Sequence, residues 1–226
     1  MLNLLFLCGL ALGEPPPGAQ VHLRDAIISG TVQSITYEVW EANGHRAPVT
    51  RVSVLLEEVV KGVGQAGQQT AFYLPGGEDP VRKIFVMSTA SPEVGVGDRI
   101  ALALDEKPSQ PHLLTVASTE AFFREKVVAG ESIATNDSGV VTQVPCDATP
   151  STVFWAPHDA DGTPLQEDQW PPLPDAAMGF QQVVDALKEC QNAALPAGVE
   201  ATPGGILPTL EKLDEISEGL RADPQP

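Results

Sequence analysis

From Asp25 to about Lys126 the chain alternates apolar and polar residues in short runs. The runs are bounded by Gly, Pro, Asn and Asp. Alternation with period two places one set of side chains on each face of a strand. It predicts strands over Ala26 to Tyr37, Val49 to Val60, Gln69 to Leu74, Arg82 to Met87, Arg99 to Leu104, His112 to Ala117 and Ala121 to Val128. Val52, Val54 and Leu56 share one face, with Arg51, Ser53 and Leu55 on the other. Ile100, Leu102 and Leu104 oppose Ala101 and Ala103, whose small size suggests a second layer packed close by. Asn43-Gly44, Pro75-Gly76-Gly77 and Val94-Gly95-Val96-Gly97-Asp98 read as turns, and Gly30 as a bulge or close approach. Strands spaced by roughly ten residues favour an all-β barrel or sandwich over a parallel α/β fold.

The pattern changes after Val128. Residues 130 to 144 read as one more hairpin around Asn136-Asp137-Ser138-Gly139, and Pro and acidic residues follow. Beyond Pro171-Pro172-Leu173-Pro174, Phe180, Val183, Val184, Leu187 and Cys190 recur at the helical period. They predict a helix from an Asp175 N-cap to about Ala194. A second helix, Pro208 to about Leu220, carries the stripe Leu210, Leu213, Ile216 and Leu220. The expected fold is therefore mainly β: a small antiparallel barrel of six or seven strands, then a Pro-rich, acidic extension with two short α-helices. The expected divisions are a signal-like segment 1–13, a Pro-rich linker 14–24, the barrel 25–128, a hairpin and acidic segment 129–174, and a helical extension 175–226.

Met1 to Gly13 is almost wholly apolar and ends in Ala11-Leu12-Gly13, a pattern of small residues that suits cleavage before Glu14. At 13 residues it is too short to span a bilayer. It reads as the apolar region of an export signal, although no Lys or Arg precedes it; the expectation is that the true start lies upstream. A buried N-terminal core segment is the alternative. Pro15-Pro16-Pro17-Gly18 is a stiff spacer.

Removal of such a signal takes Cys8 with it and leaves Cys146 and Cys190, an even number in an exported chain, so a disulfide between them is expected. A lipid anchor on Cys8 is the competing reading; Leu5-Phe6-Leu7 lacks the small residue usually found before a lipidated cysteine.

The 226 residues carry 13 basic and 30 acidic side chains, a net charge of −17. Residues 1–126 hold 14 acids and 10 bases, whereas 127–226 hold 16 acids and 3 bases, so the excess lies in the second half. Phosphate neutralisation requires clustered Lys and Arg, which argues against a nucleic-acid partner. The acidic half suits solubility, with cation binding or partner docking as the sharper reading.

Little in the sequence announces a reaction. His22, His45, His112 and His158 include no pair at i, i+4 and none beside a cysteine pair, so no metal site is expected from local ligands. There is no G-x-S-x-G, and Gly62-Val63-Gly64 and Gly95-Val96-Gly97 do not extend into a dinucleotide fingerprint. Asp159-Ala160-Asp161-Gly162 with Glu167 and Asp168 invites a calcium-loop reading. That register puts Pro157, which has no side-chain oxygen, at the first ligand position, so an Asp-Gly turn is preferred. The adjacent acids Glu57-Glu58 and Glu78-Asp79 point to opposite strand faces. Trp155 and Trp170 read as loop staples or partner anchors. No catalytic, metal-binding or cofactor-binding residue is assigned, and no cofactor is expected.

The order Gly30-Thr31-Val32, Val52-Ser53-Val54, Glu58-Val59-Val60-Lys61-Gly62, Pro75-Gly76-Gly77 and Val94-Gly95-Val96-Gly97-Asp98-Arg99-Ile100-Ala101-Leu102 resembles a group of uncharacterised exported bacterial domains. Those are in turn distantly similar to the OB-like barrel of netrin modules and tissue inhibitors of metalloproteinases. The resemblance covers about 25–126 and leaves out the tail. It implies an OB-like barrel with a binding role. The inhibitors act through a cysteine at the mature N-terminus, and Glu14-Pro15-Pro16 offers none.

The expected function is thus an exported, non-enzymatic binding or envelope-associated protein. Its partner would be an unknown protein or envelope component, with no transmembrane span in the mature chain. A secreted protease inhibitor is the alternative, and a hydrolase with a dispersed site the second alternative.

Overall fold

In a computed structural model the described residues are 21–42, 45–88, 91–107, 110–146, 149–155, 163, 165–166, 169–195 and 200–221. The signal-like segment, Cys8, the Asn43-Gly44 turn, His158 and the acidic loop around Asp159 lie outside them.

The chain is mainly β, with one large sheet and two helices. Two 17-residue strands, β1 (Ala26–Ala42) and β2 (His45–Lys61), pair antiparallel over their whole length. Then come β3 (Gln69–Pro75), a small hairpin of β4 (Gly77–Asp79) and β5 (Ile84–Val86), β6 (Arg99–Lys107), β7 (Gln110–Val116) and β8 (Phe122–Val128). The strands β9 (Glu131–Asn136), β10 (Gly139–Gln143) and β11 (Ser151–Val153) extend the same sheet, in the order β1-β2-β3-β7-β6-β8-β9-β10-β11. The first part of β1 also pairs with β6, from Ala26↔Leu104 to Thr31↔Arg99, and β3 meets β7 in parallel at Tyr73↔Thr115. Eight strands thus lie between 26 and 128, because the segment from Gly77 to Val86 folds as a hairpin rather than as one strand.

The two-residue alternation sorts side chains between layers. Ile28, Val52, Val54, Leu56, Phe72, Leu74, Ile100, Leu102, Leu104, Leu114 and Phe122 form one buried interior. The opposite faces are buried too. Ala101 and Ala103, with Ile27 and Phe123, pack against the helix α1 (Phe180–Asn192) through Phe180, Val183, Val184 and Leu187. The small side chains on β6 are what let that helix lie close. Ala71, Tyr73, Leu113 and Trp40 pack against the helix α2 (Leu210–Glu218) through Leu210, Leu213, Ile216 and the following Leu220. Trp155, Trp170 and Leu173 cover Val128, Ile133 and Val140.

Gly30 sits where the β1–β2 register shifts, and a Cβ there would lie 2.3 Å from the Leu55 carbonyl oxygen. Close approach is therefore the reason for glycine.

The helices begin later than the sequence pattern suggests. The backbone of Met178 donates to the Val141 carbonyl at 2.8 Å and accepts from the Ala134 N–H at 2.9 Å, bridging β9 and β10. The chain is held extended there, so α1 starts at Phe180 with Gly179, not Asp175, as N-cap. The Gln182 side chain accepts from the Gly179 N–H at 2.7 Å. For α2 the cap is Thr209, whose hydroxyl accepts from the Lys212 N–H. The stretch before it is tied down by Val63 N–H to Gly205 O, Leu207 N–H to Val63 O and Thr70 Oγ1 to Pro208 O.

Cys146, just beyond β10, is bonded to Cys190 near the end of α1, with their Cα atoms 5.0 Å apart. Among the described residues no helix is long and apolar enough to cross a membrane.

Candidate functional site

The β4–β5 hairpin gathers exposed apolar side chains into one contiguous run. All seven residues from Val81 to Met87 are exposed, and five of them (Val81, Ile84, Phe85, Val86, Met87) are large and apolar. Met87 is 85% accessible and Phe85 59%. Scattered exposed apolar residues are ordinary, whereas a contiguous group marks an interaction surface. The two strands are three residues each, too short to shelter their own side chains. A floor is supplied by β1: the Tyr37 ring meets the Phe85 ring edge-on at 5.8 Å. Beneath Phe85 and Met87 runs a groove of about 500 Å³, walled by Ile35, Tyr37, Leu74 and Val94 and rimmed by Thr50 and Glu93.

The hairpin is anchored at its base by charge. Asp79 is fully buried, and its Oδ1 accepts from the backbone N–H groups of Val81 and Arg82 at 3.0 and 3.1 Å. The guanidiniums of Arg46 and Arg82 lie 3.9 and 3.8 Å from its carboxylate.

Next to this base, and sharing Tyr37 and Val81 with the hairpin face, is a second cavity of about 390 Å³. Its charged lining is Arg46, Arg51, Arg221 and Glu38. Alternation along β1 and β2 brings Glu38 and Arg51 to one side of the sheet, facing α2. Glu38 accepts from the Trp40 indole N–H at 2.9 Å and lies 3.6 Å from Arg51 and 3.4 Å from Arg221. Arg51 also binds Asp214 of α2. Burial opposes the Arg51 charge, but the hydrogen bond to Asp214 and the fields of Tyr73, Asp214 and Glu38 outweigh it and raise its pKa above the ordinary value. Its Nε, buried, has no hydrogen-bond partner. The Tyr73 hydroxyl is also buried without a partner, and desolvation is the main cause that pushes its pKa up to about 12.

A third pocket, about 460 Å³, lies beyond Ser91 and Glu93 and is lined by Arg124, Lys126, Asn136, Asp137 and Trp155. The Lys126 ammonium stands 5.1 and 4.9 Å from the Trp155 and Trp170 rings, and desolvation, then Arg124, lowers its pKa. Both indoles donate to backbone carbonyls, of Pro171 and Leu165. Trp155 and Trp170 are therefore staples within the fold.

The residues singled out in the sequence do not converge. His22 is buried, and its carbonyl accepts from the Lys61 ammonium and the Thr202 N–H. The side chains of His45 and His112 lie outside the description. Among the described residues no group of three or more His, Cys, Asp or Glu side chains is placed to hold a metal ion. Glu57 and Glu58 separate as the strand pattern requires: Glu57 binds Arg99 at 2.6 Å and Glu58 binds Lys188 of α1. The sequence pattern finds Arg82 to Met87 as an ordinary strand. The run Ile84-Phe85-Val86-Met87, apolar without alternation, argues for burial on both faces, and the basic pair Arg82-Lys83 before it is the one local hint of exposure.

No protein-family model, curated protein or solved structure matches this chain.

Proposed function

We propose that the protein is an exported, non-enzymatic binding module that associates with the cell envelope through its β4–β5 hairpin face. The observation that carries this reading is the run Val81–Met87, wholly exposed and mostly apolar, above a groove of about 500 Å³. Export is supported by the apolar Met1 to Gly13 segment and by the Cys146–Cys190 bond, which persists in oxidising compartments.

The scaffold is proposed to be OB-like. In favour are the pairings β1–β2, β2–β3, β3–β7, β7–β6 and β6–β1, with β3 and β7 parallel. On such a scaffold the outer face of β3 is taken up by α2. The hairpin side, by contrast, stays open to a partner.

The test is co-sedimentation of the purified protein with envelope membranes from its native source. Wild type is expected to pellet with the membranes, and Phe85→Ser/Met87→Ser to stay in the supernatant while still melting cooperatively within about 4 °C of wild type. Equal pelleting of the two proteins refutes the hairpin as the docking surface.

A further inference from the structure

We infer that the envelope component met by the hairpin face is a neutral glycan chain, lying in one trough made of the hairpin groove and the pocket beyond Ser91 and Glu93. This rests on the docking face proposed above and names its partner.

The two cavities adjoin. Ser91 and Glu93 line both, so the groove of about 500 Å³ and the pocket of about 460 Å³ meet at those residues. An exposed aromatic ring stands on each side of the junction: Phe85, 59% accessible, in the groove, and Phe154, 83% accessible, in the pocket. The second ring is held in place through its backbone. A Cβ on Gly139 would lie 2.3 Å from the Val153 carbonyl oxygen and 3.1 Å from the Phe154 Cα, so glycine lets the end of β11 press against the β9–β10 turn.

The lining between the rings selects the ligand. Its charges cancel, Glu93 and Asp137 against Arg124 and Lys126, so neither an anion nor a cation finds an excess of the opposite sign. These groups nevertheless have bonding capacity left. Among the described residues the Glu93 and Asp137 carboxylates accept no hydrogen bond, and the Lys126 ammonium meets only the Trp155 and Trp170 rings. Arg124 gives one N–H to the Glu93 carbonyl at 3.2 Å and stands 3.9 Å from Asp98. Desolvation raises the Asp137 pKa and lowers that of Lys126, so both have given up water. Carboxylates only accept, and Lys and Arg only donate; a hydroxyl serves both from a single atom, with one donor and two acceptor lone pairs. A sugar ring presents several hydroxyls around its edge, and its C–H face packs on the negative face of an aromatic ring. An apolar peptide segment would cover the rings but bury those ionised groups without partners.

The experiment incubates the full chain with polysaccharide purified from the native envelope, freed of lipid and protein, and measures depletion of the protein from the supernatant. Binding is expected, with little change on adding salt, because no net charge is neutralised. Phe154→Ser, at a largely exposed position, should weaken it about ten-fold through loss of one stacking face. Asp137→Ala, at an exposed turn, should weaken it about ten-fold through loss of a charge-assisted hydrogen bond. Phe85→Ser/Met87→Ser should weaken it at least as much. Wild-type affinity in Phe154→Ser and Asp137→Ala overturns the inference, as does binding that vanishes at high salt. Loss of pelleting after native membranes are treated with protease also overturns it and assigns the face to a protein. If native membranes pellet the wild type but not the hairpin variant, and the stripped polysaccharide retains neither, the docking face stands and its glycan partner falls. If neither membranes nor polysaccharide are bound, both fall.

Discussion

Reduction of the Cys146–Cys190 bond is expected to cost most of what a 44-residue cross-link can contribute. Closing a loop of that length removes chain entropy worth about 4 kcal/mol from the unfolded ensemble at 25 °C. Residual structure in the unfolded chain lowers the figure, so about 3–4 kcal/mol is expected. For a chain of this size each kcal/mol moves the melting temperature by about 2–4 °C, so the shift should reach about 6–16 °C. The bond ties the segment after β10 to the end of α1, across the layer held by Phe180, Val183, Val184 and Leu187. That apolar face remains after reduction, so the helix should stay docked and the far-UV circular dichroism at 20 °C should hardly change. The assay is thermal and urea unfolding of the same protein with and without reductant. It avoids the cavity that a cysteine-to-alanine change would leave at Cys190, which is almost fully buried. A reduced protein that melts within 2 °C of the oxidised one would refute the reasoning.

Tyr73→Phe should be neutral or stabilising by about 1 kcal/mol at pH 7, because it deletes a buried hydroxyl that has no partner. It should also flatten the alkaline limb of stability. Burial disfavours the phenolate and puts the folded pKa at about 12, above the ordinary 10.0, so ionisation of Tyr73 leaves stability untouched below pH 10 and erodes it as the pH rises from 10 through 12. That loss is on the order of 2–3 kcal/mol, and urea unfolding of both proteins between pH 9 and 12 reads it. Gly30→Val should destabilise by more than about 3 kcal/mol, since its Cβ would fall 2.3 Å from the Leu55 carbonyl oxygen and 2.7 Å from Val54 Cγ1; a melting temperature near wild type would overturn that reading. Phe85→Ser/Met87→Ser, by contrast, should cost only about 1 kcal/mol, chiefly the Tyr37–Phe85 ring contact, because both side chains are largely exposed.

Period-two alternation is a local property, so most of the strands and the two faces of β2 and β6 were legible from residue order, whereas the β4–β5 hairpin and the short β11 were not; the Cys146–Cys190 pairing was read from cysteine count, not from alternation. The close layer predicted from Ala101 and Ala103 is α1, because only small side chains leave room for a helix on that face. The later helix start was not legible: Asp175 is a good capping residue, and what overrides it is the Met178 backbone bridging two strands far away in sequence. The binding face was hidden for a similar reason. Ile84-Phe85-Val86-Met87 reads as a buried strand, since apolar residues are usually inside. Burial, however, depends on what lies opposite, and among the described residues β1 backs only one side of this short hairpin, leaving Ile84 to Met87 exposed. Arg46, Arg51, Arg82 and Arg221 are scattered over 176 residues. Only tertiary pairing of β1 with β2, and the return of the chain beyond α2, brings Arg46, Arg51 and Arg221 around one cavity, with Arg82 nearby on the shared Asp79. Composition and alternation determined the class of fold; the positions of charges and of uncovered apolar surface were decided by long-range contacts, which no local pattern encodes.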